Sequence, residues 1–146
     1  MMPTYTVKTS NLKLSKEKKD KIARGITRVH NKTTGANSFF AQVIFEENKK
    51  NNHYMGGKMI TNKQIFLQGQ IRAGRTSEIK KKLILSLRNT IIKNSKLNKD
   101  SVWIYLLDII PEQMIEYGEI LPLAGKEVEW FKSLPVSLQE KLKKLD

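Results

Sequence analysis

The chain has 146 residues, with 27 Lys+Arg against 14 Asp+Glu and a formal net charge of +13 at pH 7. This length predicts one domain over residues 1–146, and the lack of cysteine excludes disulfides, thiolate metal sites and cysteine nucleophiles. No apolar run approaches the ~18 residues of a membrane span and MMPTYTVKTS lacks the apolar stretch of a signal peptide, so we expect a cytoplasmic protein without membrane association.

The first part of the chain is predicted to form a β-α-β unit over about residues 3–62. Thr4–Thr9 alternates apolar and polar residues, which is typical of a strand. Ser15 is a candidate cap for a helix that runs to about His30. Phe39–Phe45 has the aromatic and β-branched content of a buried strand. Residues 46–63 are polar and are expected to form a loop or a weak hairpin.

The same pattern recurs over about residues 63–122. Ile65–Arg72 is predicted to be a strand, Thr76 or Ser77 to cap a helix that ends near Asn94, and Val102–Ile109 to be a second buried strand. Two tandem β-α-β units predict an α/β fold with a four-stranded sheet and two helices on one face. In a chain this short, the other face of the sheet is expected to be covered by another subunit.

The chain changes character after Pro111. Glu112–Gly118 is predicted to form a short helical turn, and the tail over residues 123–146 to contain two amphipathic helical segments. The tail also carries Trp130 and Phe131, which we expect to pack on the sheet or on a neighbouring subunit.

The positive charge is concentrated in residues 1–100, which contain 22 of the basic and 6 of the acidic residues. A strongly basic chain is typical of nucleic-acid binding, but lysines on solvated helix faces explain the same composition. Only five of the basic residues are arginines, the residue type that grips planar anions. Two of them, Arg72 and Arg75, flank the end of a predicted strand, where anions bind in α/β sheets. Together they could hold a carboxylate, although isolated arginines are more often ordinary surface residues.

Four further residues are candidates for chemistry, and each has an ordinary structural explanation. Pro3 suits the start of a strand, and its nitrogen is a basic amine only if Pro3 is the mature N-terminus. His30 at the predicted helix end could simply favour the helix dipole. Tyr105 needs a hydroxyl partner in an apolar strand, and Glu116 is either a poised carboxylate or a solvated side chain.

Together these residues resemble a known family. Over residues 3–135 the chain is similar to the tautomerase superfamily and, within it, to the cis-3-chloroacrylic acid dehalogenase family. The matching stretches are Pro3-Thr-Tyr, Ile26-Thr27…His30, Ala41-Gln42-Val43…Phe45, Arg72…Gly74-Arg75, Trp103…Tyr105, Met114…Glu116-Tyr117-Gly118 and Glu129-Trp130-Phe131. The residues that this family uses for chemistry correspond to Pro3, His30, Arg72, Arg75, Tyr105 and Glu116.

The resemblance implies a tautomerase-like homotrimer that acts on a small α,β-unsaturated carboxylic acid without a cofactor or metal. Arg72, Arg75 and His30 would bind the substrate carboxylate. Two reactions fit this assignment: hydration or dehalogenation of a 3-haloacrylate or an acetylenecarboxylate, and simple tautomerisation.

The other three residues would carry out the chemistry. Glu116 and Tyr105, the latter from a neighbouring subunit, would activate water, and Pro3 would act as the general acid. A carboxylate at Glu116 is expected to keep the Pro3 amine protonated.

Two positions depart from the family pattern. Met1 and Met2 precede Pro3, so its nitrogen is an amine only if both are absent from the mature protein. Ile71 precedes Arg72, where a dehalogenase is expected to have histidine, and this favours a less specialised hydratase or tautomerase.

Two other functions stay open: a nucleic-acid-binding module, and an inactive trimer that keeps the fold. RNA-binding sheets expose stacking aromatic residues, whereas several aromatic residues of this chain lie in apolar strands that are predicted to be buried: Phe39, Phe45, Phe66 and Trp103. The sequence therefore predicts that nucleic acid is not a partner.

Overall fold

The structure is a computed structural model that describes residues 3–37 and 41–145. Its strands and helices follow in chain order: β1 Thr4–Ser10, α1 Lys16–Thr34, β2 Gln42–Glu47, β3 Tyr54–Met55, β4 Lys58–Met59, β5 Gln64–Arg72, α2 Ser77–Ser95, β6 Val102–Ile109, β7 Ile115–Glu116, β8 Glu119–Ile120, α3 Glu127–Ser133 and α4 Val136–Lys143. Among the described residues, no helix combines the length and the apolar character that a membrane crossing requires.

The main sheet confirms the predicted tandem β-α-β fold. Its strand order is β2-β1-β5-β6, with β1 parallel to β2, β5 parallel to β6, and β1 antiparallel to β5. Helix α1 connects the first parallel pair and α2 connects the second. The two units therefore join through their first strands at the centre of the sheet.

Both long helices begin at the predicted caps. The Ser15 hydroxyl accepts a hydrogen bond from the backbone N–H of Lys18, and the Thr76 hydroxyl accepts one from Ile79. Helix α1 extends beyond His30 to Thr34, where Gly35 ends it in the left-handed conformation with φ 75°. The predicted helix end was wrong, because the glycine that tolerates this conformation lies five residues farther along the chain. His30 is thus an interior residue of the helix.

The core lies between the sheet and the two helices. Alternate residues of the two central strands face the helices and are fully buried, as are the inward residues of both helices. These core residues are Tyr5, Val7, Ile65, Leu67, Ile22, Ile26, Leu83, Leu87 and Ile91. At Gly69, opposite Tyr5 in the register, an added Cβ would lie 2.6 Å from the tyrosine ring. Only glycine therefore lets this ring lie flat across β5.

The other face of the sheet is exposed in the single chain. Trp103 is 43% exposed and Tyr105 is 54% exposed, because only the alternate residues of β6 face the helices. The prediction that Trp103 is buried is therefore wrong for one chain. In edge strand β2, Ile44 is exposed whereas Val43 and Phe45 pack partly buried against the core, and Phe39 lies outside the described residues. These exposed apolar groups agree with the expectation that a second subunit covers this face.

The segment after Pro111 differs from its prediction. A hairpin of β7 and β8 replaces the expected helical turn, and Tyr117 and Gly118 at its tip have φ of 54° and 84°. Two helices follow, as predicted. Within the chain, Trp130 packs in a cluster separate from the main core, and the other buried members of this cluster are Leu121, Leu134 and Leu142. The tail thus has a small core of its own.

Candidate active site

Arg72 and Arg75 lie together where β5 ends and α2 is about to begin. The Arg75 Nη1 donates to the backbone carbonyl of Arg72 at 2.7 Å, and the Ala73 N–H donates to the carbonyl of Ile109 at 2.8 Å. The second bond ties this connection to the end of β6. Burial and then the neighbouring charge of Arg72 lower the pKa of Arg75, yet a guanidinium remains cationic at neutral pH. Two cations are therefore held side by side at the carboxyl end of the central strands.

His30 joins this group through a tyrosine. The Tyr5 hydroxyl lies 2.8 Å from the His30 Nδ1, and both side chains are buried. Burial raises the pKa of Tyr5 well above its usual range, and the charge of Arg75 offsets part of that effect. The hydroxyl thus stays protonated, and its hydrogen bond to Nδ1 fixes the orientation of the imidazole ring. Tyr5 thus links His30 to the arginine pair, because its hydroxyl is hydrogen-bonded to His30 and the charge of Arg75 acts on its pKa.

Arg72 is bound by the tail. Its side chain is 5% exposed, its Nη1 donates to the Pro122 carbonyl at 3.0 Å, and its Nη2 donates to the Glu127 carboxylate. Burial raises the pKa of Glu127, but hydrogen bonds from Arg72 and from the Gly125 N–H outweigh it and hold that pKa below the usual range. An internal carboxylate therefore already occupies part of the predicted carboxylate site.

Glu116 ends strand β7 rather than lying in a helical turn. Burial raises its pKa from 4.5 to about 7, which places its proton exchange near neutral pH. Its register partner on β8 is Glu119, which is exposed. The sequence left open whether Glu116 is a poised carboxylate or a solvated side chain. Its half-buried position and its raised pKa favour the poised carboxylate.

Pro3 is buried directly before β1, two residues from Tyr5. Its carbonyl accepts a hydrogen bond from the Gln42 N–H at 3.0 Å, so the start of β1 is fixed to β2. Met1 and Met2, on which the state of the Pro3 nitrogen depends, lie outside the described residues.

Tyr105 is separate from this cluster within one chain. It pairs with Gln68 on β5, four residues before Arg72 and thus roughly 13 Å away along the strand. Its ring packs edge-to-face on Phe66, with centroids 5.0 Å apart, and it lines a cavity of about 400 Å³ on the exposed face of the sheet. Tyr105 is therefore an exposed residue of the sheet face and lies apart from the arginines of its own chain.

Sequence reasoning missed two members of the site. In the sequence, Tyr5 was identified only as an apolar residue of an alternating strand. The signal that could have found it is that a buried tyrosine needs a partner for its hydroxyl. Glu127 is 55 residues from Arg72, and no local pattern joins them. Among the described residues there is also no group of three His, Asp or Glu side chains that could hold a metal ion.

Comparisons with known proteins place the chain in a family. Residues 2–133 match the family Tautomerase_3, described as "Putative oxalocrotonate tautomerase enzyme". No curated protein is similar enough to count as a match.

Solved structures of similar fold are numerous. The chain is 31% identical to N1, a member of the cis-3-chloroacrylic acid dehalogenase family, with a TM-score of 0.92 over 97% of this chain and 99% of that one. A fused 4-OT asymmetric trimer is 23% identical, with a TM-score of 0.74 over 80% and 94%. Pt0534 inactivated by 2-oxo-3-pentynoate is also 23% identical, with a TM-score of 0.73 over 81% and 94%. With these matches, the chain belongs to the tautomerase superfamily and, within it, to the cis-3-chloroacrylic acid dehalogenase family.

Proposed function

We propose that the protein is a cofactor-independent hydratase, dehalogenase or tautomerase for short α,β-unsaturated carboxylic acids. One observation supports this proposal: Arg72 and Arg75 lie together at the carboxyl end of β5, and the Tyr5 hydroxyl links the buried His30 to them, an arrangement that suits one small carboxylate. Membership of the tautomerase superfamily supports an enzyme of this type.

The first step is binding with polarisation of the substrate. The two guanidinium groups and His30 hold the carboxylate and draw electron density from the conjugated double or triple bond. Carbon 3 then becomes electrophilic, and negative charge develops toward the carboxylate as a nucleophile adds. Because the protein holds the Arg72 and Arg75 side chains in place before substrate arrives, the two guanidinium groups stabilise this charge without moving themselves.

Glu116 is the proposed base of the second step. Its pKa of about 7 lies where a general base works best at neutral pH. It takes a proton from water as the oxygen bonds to carbon 3, while Tyr105 of a neighbouring chain orients that water. The fused 4-OT is a trimer, and the same assembly here would carry the exposed Tyr105 into the adjoining site.

Pro3 is the proposed acid, which delivers a proton to carbon 2. A 3-haloacrylate then gives a halohydrin whose hydroxyl proton and halide leave together as the carbonyl forms. An acetylenecarboxylate gives an enol that tautomerises to the semialdehyde. This step requires a free Pro3 nitrogen, so the mature protein must begin at that residue.

Intact mass followed by a hydration assay tests the proposal. Protein that begins at Pro3 should convert 3-chloroacrylate or acetylenecarboxylate, observed as loss of the substrate's ultraviolet absorbance. The substitution Arg75→Gln should lower kcat/KM roughly 100-fold, because it removes a charge-assisted contact to the carboxylate. Arg88→Gln on the outer part of α2 makes the same change in charge and should have little effect. Equal effects of the two substitutions, or no turnover by protein with a free Pro3 nitrogen, would contradict the proposal.

The exposed sheet face favours a second candidate, the binding of single-stranded RNA. Trp103 and Tyr105 stand on this face together with Lys8, a combination on which bases can stack and phosphates can bind. A trimer would cover the same residues. Fluorescence titration with RNA at two salt concentrations distinguishes the alternatives: salt-sensitive tight binding without turnover would favour the RNA-binding function.

A further inference from the structure

The contact between Arg72 and Glu127 is incomplete. On the guanidinium edge formed by Nε and Nη2, only Nη2 reaches Glu127, and Nε is buried without a hydrogen-bond partner among the described residues. A buried donor without a partner is unfavourable. The free protein therefore satisfies one of the two parallel donors that this edge of an arginine offers to a carboxylate.

Glu127 is poorly placed to satisfy both donors. The oxygen that Arg72 contacts, Oε1, also accepts a hydrogen bond from the Gly125 N–H at 3.2 Å. The carboxylate is thus tied to the turn that precedes α3. An independent small carboxylate has no such tether and can turn to accept from Nε and Nη2 at once, which is the stronger bidentate geometry.

The segment that carries Glu127 can move without opening the main core. Its apolar residues pack in their own cluster around Trp130 and Leu142, separate from the core between sheet and helices. The polar links from this segment to Arg72 are the Glu127 carboxylate and the Pro122 carbonyl. Exchange of the Glu127 contact therefore leaves both apolar clusters intact.

We propose that Glu127 is an internal substitute for the substrate carboxylate, which holds Arg72 in the free protein and is displaced when substrate binds. This inference rests on the proposed function, since it takes Arg72 to be part of the carboxylate site. Displacement removes the contact of α3 with the end of β5, while the Pro122 carbonyl keeps its hydrogen bond to Arg72, so the substrate itself loosens the tail beyond Pro122. It also selects short acids, because the incoming carboxylate must enter the space that Glu127 occupies.

The test compares Glu127→Gln with Glu129→Gln. Glu129 lies on the same helix, its side chain is 74% exposed and it pairs with Lys126 at 3.5 Å, so it is a matched control for charge. The glutamine at 127 keeps the shape of the side chain but holds Arg72 less strongly. We expect Arg72 in E127Q to react with phenylglyoxal about 3- to 10-fold faster than in wild type or E129Q, and the KM for 3-chloroacrylate to fall by a similar factor.

The probe for displacement is acrylate, a short unsaturated acid without a leaving group. Acrylate added to the wild-type protein should speed hydrogen exchange over residues 121–134 and protect Arg75 from phenylglyoxal. In E127Q, acrylate should still protect Arg75, but hydrogen exchange over the same residues should change less.

If acrylate protects Arg75 while exchange in the tail is unchanged and Arg72 reacts equally in E127Q and E129Q, the inference is wrong and the carboxylate site stands. If acrylate protects neither arginine in any variant, the proposed function and the inference both fail.

Discussion

The half-buried carboxyl of Glu116 should make the stability of the protein depend on pH. The folded chain holds this proton up to about pH 7, whereas the unfolded chain releases it near pH 4.5. Between these values the folded state binds more protons, so stability falls as pH rises and is lowest above pH 7. Replacing Glu116 with Gln removes the ionisation. It should therefore stabilise the protein at pH 8 and leave its stability nearly unchanged at pH 4.5.

The size of the effect follows from the two pKa values. Their separation sets an upper limit of about 3.4 kcal/mol, at about 1.36 kcal/mol for each factor of ten in proton affinity. Because the side chain is partly exposed, solvent screens much of this, and we expect about 1–2 kcal/mol. For a chain of this size that gain corresponds to a rise in Tm of roughly 2–8 °C.

Urea unfolding at fixed protein concentration measures this difference, since assembly would make the midpoint depend on concentration. The control is Glu119→Gln, which changes the exposed carboxylate directly across the β7–β8 hairpin. The advantage of E116Q over wild type should grow between pH 4.5 and pH 8, and E119Q should not show this growth. A difference that stays constant with pH, or an equal response of E119Q, would refute the assignment of a raised pKa to Glu116. In active protein the same substitution should abolish turnover, since it removes the proposed base.

Three other substitutions test the surroundings of the site. Tyr5→Phe removes the hydroxyl from the buried His30 Nδ1 and should lower the free energy of unfolding by about 1–3 kcal/mol in a urea titration, whereas Tyr54→Phe at an exposed position should not. Gly69→Ala places a Cβ 2.6 Å from the Tyr5 ring and should destabilise the fold by about 1–3 kcal/mol, visible as a lower Tm in circular dichroism. For the proposed trimer, Trp103→Glu should reduce the mass measured by light scattering from three chains to one, because it places a charge on the exposed sheet face; an unchanged mass would show that this face is not the interface.

The elements of the fold could be predicted where local chemistry determines them. The hydroxyls of Ser15 and Thr76 cap helices at the predicted positions, and Val102–Ile109 is a strand with the predicted bounds. Local patterns could not show which faces are covered. The apolar run of β6 was interpreted as fully buried, but half of its residues face the helices and half face outward. From the sequence alone, such an apolar run can belong to a core or to a subunit interface, because both require the same residue types.

The structural positions of the candidate site residues could be predicted only in part. Arg72 and Arg75 lie at the end of β5, as predicted, because the end of this strand has a local sequence signal. His30 was expected at a helix end and lies inside the helix, and Glu116 was expected in a helical turn and ends a hairpin strand. Glu127 could not be found, because its contact with Arg72 depends on how a separately packed tail sits against the end of β5.

The uneven charge of the chain has a structural consequence at this contact. Acidic residues outnumber basic ones only after residue 100. Glu127 is one of these acidic residues, and its carboxylate contacts Arg72 at the proposed anion site. A basic surface attracts anions of every kind, whereas a buried arginine already held by an internal carboxylate accepts only an anion that fits better than the one it replaces. In the proposed function, the net charge of +13 raises the local concentration of an acidic substrate, whereas selection among anions occurs at Arg72. The net charge thus acts when the substrate first approaches the protein, and Arg72 acts when the substrate carboxylate replaces Glu127.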